Sequence, residues 1–163
     1  MNQPDALLAL VIRQARSLGI PLAAKIDPHV QINTRALRRF GRCLREGNYY
    51  RIELSARLLS GSEAACCTVL AHELLHTCYG CMNHGTRWKR YAARMQAAFG
   101  YPISCTTTDL ALGTKAPAAK YIVRCTVCGK SIPRYRSSPL TRHPERYRCA
   151  CGGTLSVTKE GSL

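Results

Sequence analysis

Residues 71–91, "AHELLHTCYGCMNHGTRWKRY", hold three of the chain's five histidines within thirteen positions. His72 and His76 flank Glu73, and His84 follows eight residues later. In an α-helix, residues four apart lie about 40° apart around the axis and roughly 6 Å along it. The first two imidazoles therefore project from one face toward a common point, where zinc accepts each nitrogen at about 2.0–2.1 Å. Glu73 sits beside the first of them and reaches a water at such an ion without ligating it, the arrangement of an HExxH hydrolase. The competing reading is a surface helix with two solvated histidines. His84 separates the two. An unbroken helix would carry it about 12 Å along the axis from His76, too far to share a metal. Gly80 and Asn83 occupy the gap, and both tolerate a turn. A reversal there returns His84 to the first pair, giving one catalytic zinc with three neutral imidazoles and an open position. Cys78 and Cys81 have ligand-like spacing but do not fit the His-Glu-His face. They are read as packing residues.

Working outward, "GSEAACCTVLAHELLHTCYG" (61–80) is expected to be a helix, with Ser62 as N-cap, Glu63 in the first turn and Gly80 ending it in a left-handed conformation. Val69, Leu70 and Leu74 supply its apolar face. Upstream, "TRALRRFGRCLREGNYYRIELSARLL" (34–59) reads as a hairpin turning at "REGN", with Tyr49 to Ser55 as its second strand. Tyr50, Ile52 and Leu54 point one way, Arg51 and Glu53 the other. An exposed edge on this second strand is expected to hold a peptide by strand addition. "DALLALVIRQARSLG" (5–19) has helical apolar spacing, with Asp5 placed to cap it and Gly19 to end it. A further helix is expected from Thr86 to Phe99, closed by Gly100 and Pro102. Cys43, Cys66, Cys67 and Cys105 read as small buried residues.

"TTTDLALGTKAPAAK" (106–120) is small, polar and turn-rich and reads as a linker, here placed at 106–119. Beyond it, "CTVCGK" and "CACGG" are separated by twenty residues. Two close thiolate pairs at that separation fold a short β-rich segment around one structural zinc. The expected ligands are Cys125, Cys128, Cys149 and Cys151; the second pair departs from the usual spacing, being Cys-x-Cys rather than Cys-x-x-Cys, which leaves His143 open as a substitute. Arg134, Arg136, Arg142, Arg146 and Arg148 are interleaved there with Tyr135 and Tyr147. Basic chains beside aromatic rings suit single-stranded or distorted DNA. The alternative is that the tyrosines fill a small core and the arginines are solvated.

Composition agrees with a small folded protein bearing a polyanion-binding surface. The chain has 163 residues, 46% hydrophobic, and a formal charge of +15. Up to Ala119 it carries 15 basic and 7 acidic residues, and beyond it 9 and 2, so positive charge is densest in the tail. Such an excess favours nucleic acid through phosphate contacts. No apolar run approaches the roughly 20 residues that cross a bilayer. The opening stretch has an acid before its apolar run and arginines behind it, the wrong order for a secretory signal. A cytoplasmic, DNA-associated location without membrane contact is expected, and clustered cysteines then point to metal rather than disulfides.

"HELLH" followed by "HGTRW", with "RRFGRC" and "YRIELSARLL" upstream, resembles the SprT-like (Spartan) metalloprotease family. The resemblance runs from about Arg35 to Thr154, including the cysteine tail, which is similar to the zinc ribbon of many members. It implies an α+β fold: a zincin-like peptidase domain over 1–105 and a β-rich zinc ribbon over 120–158. It also implies cleavage of DNA-bound or DNA-crosslinked proteins. Position by position, His72, His76 and His84 match the zinc ligands and Glu73 the catalytic base. Two other readings stand beside it: a non-catalytic nucleic-acid-binding protein with two structural zinc ions, and a small zinc peptidase without DNA coupling. No donor to the reaction's oxyanion is singled out among Tyr49, Tyr50, Tyr91 and Tyr101.

Overall fold

The computed structural model describes residues 3–160. They form two compact units that divide between Lys115 and Ala116. The first begins with α1 (Pro4–Ser17), which buries Leu7, Leu8, Val11 and Ala15. Asp5 does not cap this helix. Its carboxylate instead accepts the Val30 amide at 2.8 Å and contacts His29 Nδ1 at 2.9 Å, tying the helix start to the loop before β2. Two short strands follow, β1 (Lys25–Ile26) and β2 (Gln31–Asn33), and then the expected hairpin of β3 (Gly41–Glu46) and β4 (Tyr49–Ser55). Along β4, Tyr50, Ile52 and Leu54 are buried and Arg51 and Glu53 half-buried, the alternation of a strand with one face on a core.

β4 is not an edge. β3 pairs antiparallel along Tyr49 to Leu54, while β1 and β2 pair parallel with Tyr49–Tyr50 and Glu53–Ser55. With one side of β4 taken by β3, the two short strands share the other. The free edge of this sheet beside the hairpin therefore belongs to β3. Which of its groups are free follows from the register. The Phe40 carbonyl accepts the Ser55 amide at 2.8 Å, so in an antiparallel ladder the even-numbered residues of β3 face β4. Gly41, Cys43 and Arg45 turn their amides and carbonyls outward.

Helix α2 (Glu63–Leu75) starts at Ser62, whose hydroxyl accepts the Ala65 amide, and its first turn carries Glu63. From Ala65 onward nearly every residue is buried, Val69, Leu70 and Leu74 included. α2 ends at Leu75 rather than near Gly80. His76, Thr77 and Cys78 donate to carbonyls three residues back, a tightening of the last turn that needs no glycine. α3 (Thr86–Phe99) follows and ends at Gly100 in the left-handed region, as the sequence predicts. Residues up to Lys115 pack with this unit: Leu112 joins its core, and Asp109 pairs with Arg57. No helix among the described residues is long and apolar enough to cross a membrane.

The second unit is a three-stranded antiparallel sheet, β5 (Tyr121–Cys125) between β6 (Ser131–Arg134) and β7 (Leu155–Lys159), with a one-turn helix α4 (Pro139–Arg142) capped by Ser138. Val123 is its most enclosed side chain, paired in register with Ile132 and Val157.

Leu70 is fully enclosed on α2. Leu70→Ala is expected to cost about 2–5 kcal/mol of stability through lost transfer energy and the cavity left behind, measured by urea unfolding of the first unit.

Candidate metal centre

α2 sets His72 and His76 one turn apart, and the chain then reverses. Gly80 takes a left-handed φ of 72°, the Arg87 guanidinium donates to the Tyr79 carbonyl at 2.9 Å, and Cys78 and Cys81 are buried under the turn. The reversal delivers His84 to the helical pair. His84 Nε2 lies 3.0 Å and His76 Nε2 3.4 Å from His72 Nε2, and one ligand atom from each ring lies within 4.8 Å of the others. An ion held tetrahedrally at about 2.0–2.1 Å sets its nitrogens roughly 3.3 Å apart, so the three rings fit zinc.

The opposite ring nitrogens fix the tautomers. His72 Nδ1 is 3.0 Å from the Ser104 carbonyl and His76 Nδ1 2.6 Å from the Cys81 carbonyl. A carbonyl only accepts, so each Nδ1 carries its hydrogen and each Nε2 turns a lone pair inward. Burial, then the neighbouring His76 and His84, push His72 down to about 4, and burial also lowers His76, which favours the neutral imidazoles that a metal cation needs. Trp88 forms the floor of the cluster, its ring centroid 4.8, 5.7 and 4.5 Å from those of His72, His76 and His84. The indole is 1% exposed, and its N–H has no hydrogen-bond partner among the described residues.

Glu73 is buried against β3, where its carboxylate accepts the Cys43 amide. Burial pushes this carboxyl up to about 7, against the pull of the Cys43 amide and of Arg39. Glu73 and His72 line a cavity of about 290 Å³ between Arg38–Gly41 on one side and Pro102–Thr107 on the other. Cys105 lies on that second wall and is exposed, not the buried packing residue that the sequence predicts. Among the tyrosines, Tyr101 spends its hydroxyl on Gln14 at 2.7 Å, and none of the four lines the cavity.

Cys125, Cys128, Cys149 and Cys151 form a second cluster, with one sulfur from each within 4.8 Å of the others. Cys125 and Cys151 sulfurs are 3.5 Å apart, Cys128 and Cys149 3.7 Å, near the roughly 3.8 Å that a tetrahedral ion with sulfurs at about 2.3 Å sets. Amides of Cys128 and Val127 lower the Cys125 thiol to about 6, favouring the thiolate a metal needs. His143 is outside this group and contacts Glu145. Arg136, Arg142, Arg146 and Arg148 are exposed, and Arg134 and Tyr135 are half-buried. Tyr147 is 41% exposed.

Three inward imidazoles on an α+β scaffold, with a separate four-cysteine knuckle, define a protein with two candidate zinc sites. The family model described as SprT-like matches residues 20–108, more than half of the chain. The chain belongs to the SprT-like family, in general one of zinc metallopeptidases. No curated protein matches it.

What sequence reasoning missed is chiefly backbone: the Ser104 and Cys81 carbonyls behind the histidines, and the Cys43 amide behind Glu73. Trp88 carried a signal, an aromatic four residues after His84, but no sign of its task. Native mass spectrometry is expected to find two zinc ions per chain, falling to one in His72→Ala/His76→Ala. Trp88→Ala should weaken zinc binding at the remaining triad about 10- to 100-fold, as loss of outer-shell support does, measured by competition with a chromogenic chelator.

Proposed function

We propose that this chain is a zinc-dependent endopeptidase that cleaves proteins bound or crosslinked to DNA. The observation that carries the peptidase reading is the convergence of three Nε2 atoms beside a groove that His72 and the buried Glu73 both line. His72, His76 and His84 hold the metal. Zinc bound there lowers the pKa of water from 15.7 to about 7 and polarises a carbonyl oxygen.

The chain's own groups do the rest. The outward amides and carbonyls of Gly41 and Arg45, with the outward carbonyl of Cys43, pair with a peptide as an added strand, reading main chain rather than side chains. The peptide then runs along the groove wall with its scissile carbonyl near the triad. Glu73 takes a proton from the attacking water at its carboxylate, a role suited to a carboxyl whose proton affinity burial has raised. As the C–N bond breaks, the same carboxyl returns that proton to the leaving amine. Recognition through the backbone gives weak sequence preference, which suits varied protein substrates.

The DNA coupling rests on charge. The second unit presents Arg136, Arg142, Arg146 and Arg148 in the open, with the ring of Tyr147 partly exposed among them. Phosphates pair with the guanidinium groups and an unstacked base packs on the ring. The family membership and the +15 charge support the same reading.

Glu73→Gln is expected to keep both zinc ions and lose about 10²- to 10⁴-fold in kcat on casein, the range for a general base. Cleavage by Glu73→Gln at the wild-type rate would remove the peptidase mechanism. Single-stranded DNA should stimulate the wild-type protein. Arg146→Ala/Arg148→Ala should weaken DNA binding and flatten its log–log salt dependence by about 0.7 per lost phosphate contact. Unchanged cleavage with and without DNA would leave a peptidase with no DNA coupling.

A further inference from the structure

Gly41 is the residue of β3 that Glu73 packs against. A Cβ built there would stand 2.7 Å from Glu73 Cγ, 2.9 Å from Glu73 Oε1 and 2.7 Å from Val69 Cγ1, distances that side chains do not sustain. The backbone at this position asks for no glycine. Gly41 is absent from the glycines with positive φ, and it lies inside a regular antiparallel strand in register with Leu54. What the missing side chain supplies is space, and the space is filled by the carboxylate arm of Glu73.

Two residues further along the same edge, the Cys43 amide donates to that carboxylate. Gly41 and Cys43 thus make a two-point cradle, one point by absence and the other by a hydrogen bond. We infer that Gly41 is a positioning residue for Glu73, and that β3 sets the carboxylate in register with the peptide strand it binds. This rests on the peptidase reading above. It deepens that reading because the base and the substrate take their places from one strand. With the Cys43 amide already engaged by Glu73, an incoming peptide pairs with the outward groups on either side of it, those of Gly41 foremost, which face the groove. A methyl group at residue 41 meets Glu73 and Val69 first and pushes the carboxylate off its amide.

The test is a set of variants assayed for kcat and KM on casein, zinc content and thermal unfolding. Gly41→Ala is expected to lower kcat about 10- to 100-fold, the cost of misplacing a reacting group by about 1 Å, with KM within about twofold and both zinc ions retained. Gly41→Ala/Val69→Ala removes the contact with Val69 and leaves the one with Glu73, so relative to Val69→Ala alone its kcat should stay low. Recovery of kcat in that double variant, or wild-type kcat in Gly41→Ala, overturns the inference. If the wild-type protein cleaves nothing, the peptidase reading fails and the cradle is judged on stability instead. The drop in unfolding midpoint caused by Gly41→Ala should shrink by at least half in a Glu73→Ala background. An equal drop in both backgrounds overturns the inference whatever the activity.

Discussion

The reversal between Leu75 and Thr86 is the constraint on which the first unit depends. It must bring a third imidazole to two that already share a helix face, and it does so with few residues. The tightened last turn of α2 starts the change of direction, Gly80 completes it in a conformation costly to other residues, and the buried Cys78 and Cys81 pin it to the core. The Cys81 carbonyl then orients His76, so the turn that returns His84 also fixes the tautomer of the residue it left. Position and chemistry are settled by one loop. The His72 and His76 lone pairs face one point with His84 Nε2 beside them, a geometry suited to a cation among them.

The scaffold around the reversal explains why α2 tolerates polar residues at all. α2 packs against α1, α3, β3 and β4, and most of its residues are buried. His76 and Glu73 are each 8% exposed, and buried polar groups need partners. Backbone atoms of neighbouring segments supply them: Cys81 for His76, and Cys43 for Glu73. His72, less deeply buried, takes the Ser104 carbonyl. Each functional side chain is thus held by a different stretch of chain, and Trp88 closes the cluster from below. Of the three backbone partners, Cys43 belongs to β3, while Cys81 and Ser104 lie in the segments that flank α3.

Much of this was legible in the sequence because it is written in side chains. Ser62 as a cap, the hairpin turning at Gly47 and Asn48, the α3 stop at Gly100 and the four-cysteine set all follow from residue type and spacing. The edge strand was not legible. A hairpin shows two strands but not which one gains further neighbours, and β1 and β2 are too short to carry an alternating pattern. β4 therefore reads as exposed when β3 is the exposed one. The end of α2 was missed because i→i+3 bonding leaves no compositional mark. Asp5 reads as a cap since its distant partners, Val30 and His29, come near only when the helix docks. The outer partners of the histidines are carbonyls, which every residue possesses and no sequence singles out.

The two candidate metal sites differ in one respect that decides what each could do. In the second unit four thiols meet, and four thiolates fill a tetrahedral shell. The glycines after Cys128 and Cys151 take left-handed φ values of 71° and 83°, and the Cys128 amide faces the Cys125 sulfur at 3.5 Å. A closed shell of that kind organises the chain around it, here a sheet whose enclosed core is little more than Val123. In the first unit three imidazoles meet and no fourth donor joins their group among the described residues. Its core is spread over three helices and a sheet. A shell left open is costly only where nothing uses it. Here His72 borders a groove bearing a buried carboxylate and an unpaired strand edge, the surroundings that give a fourth position something to do.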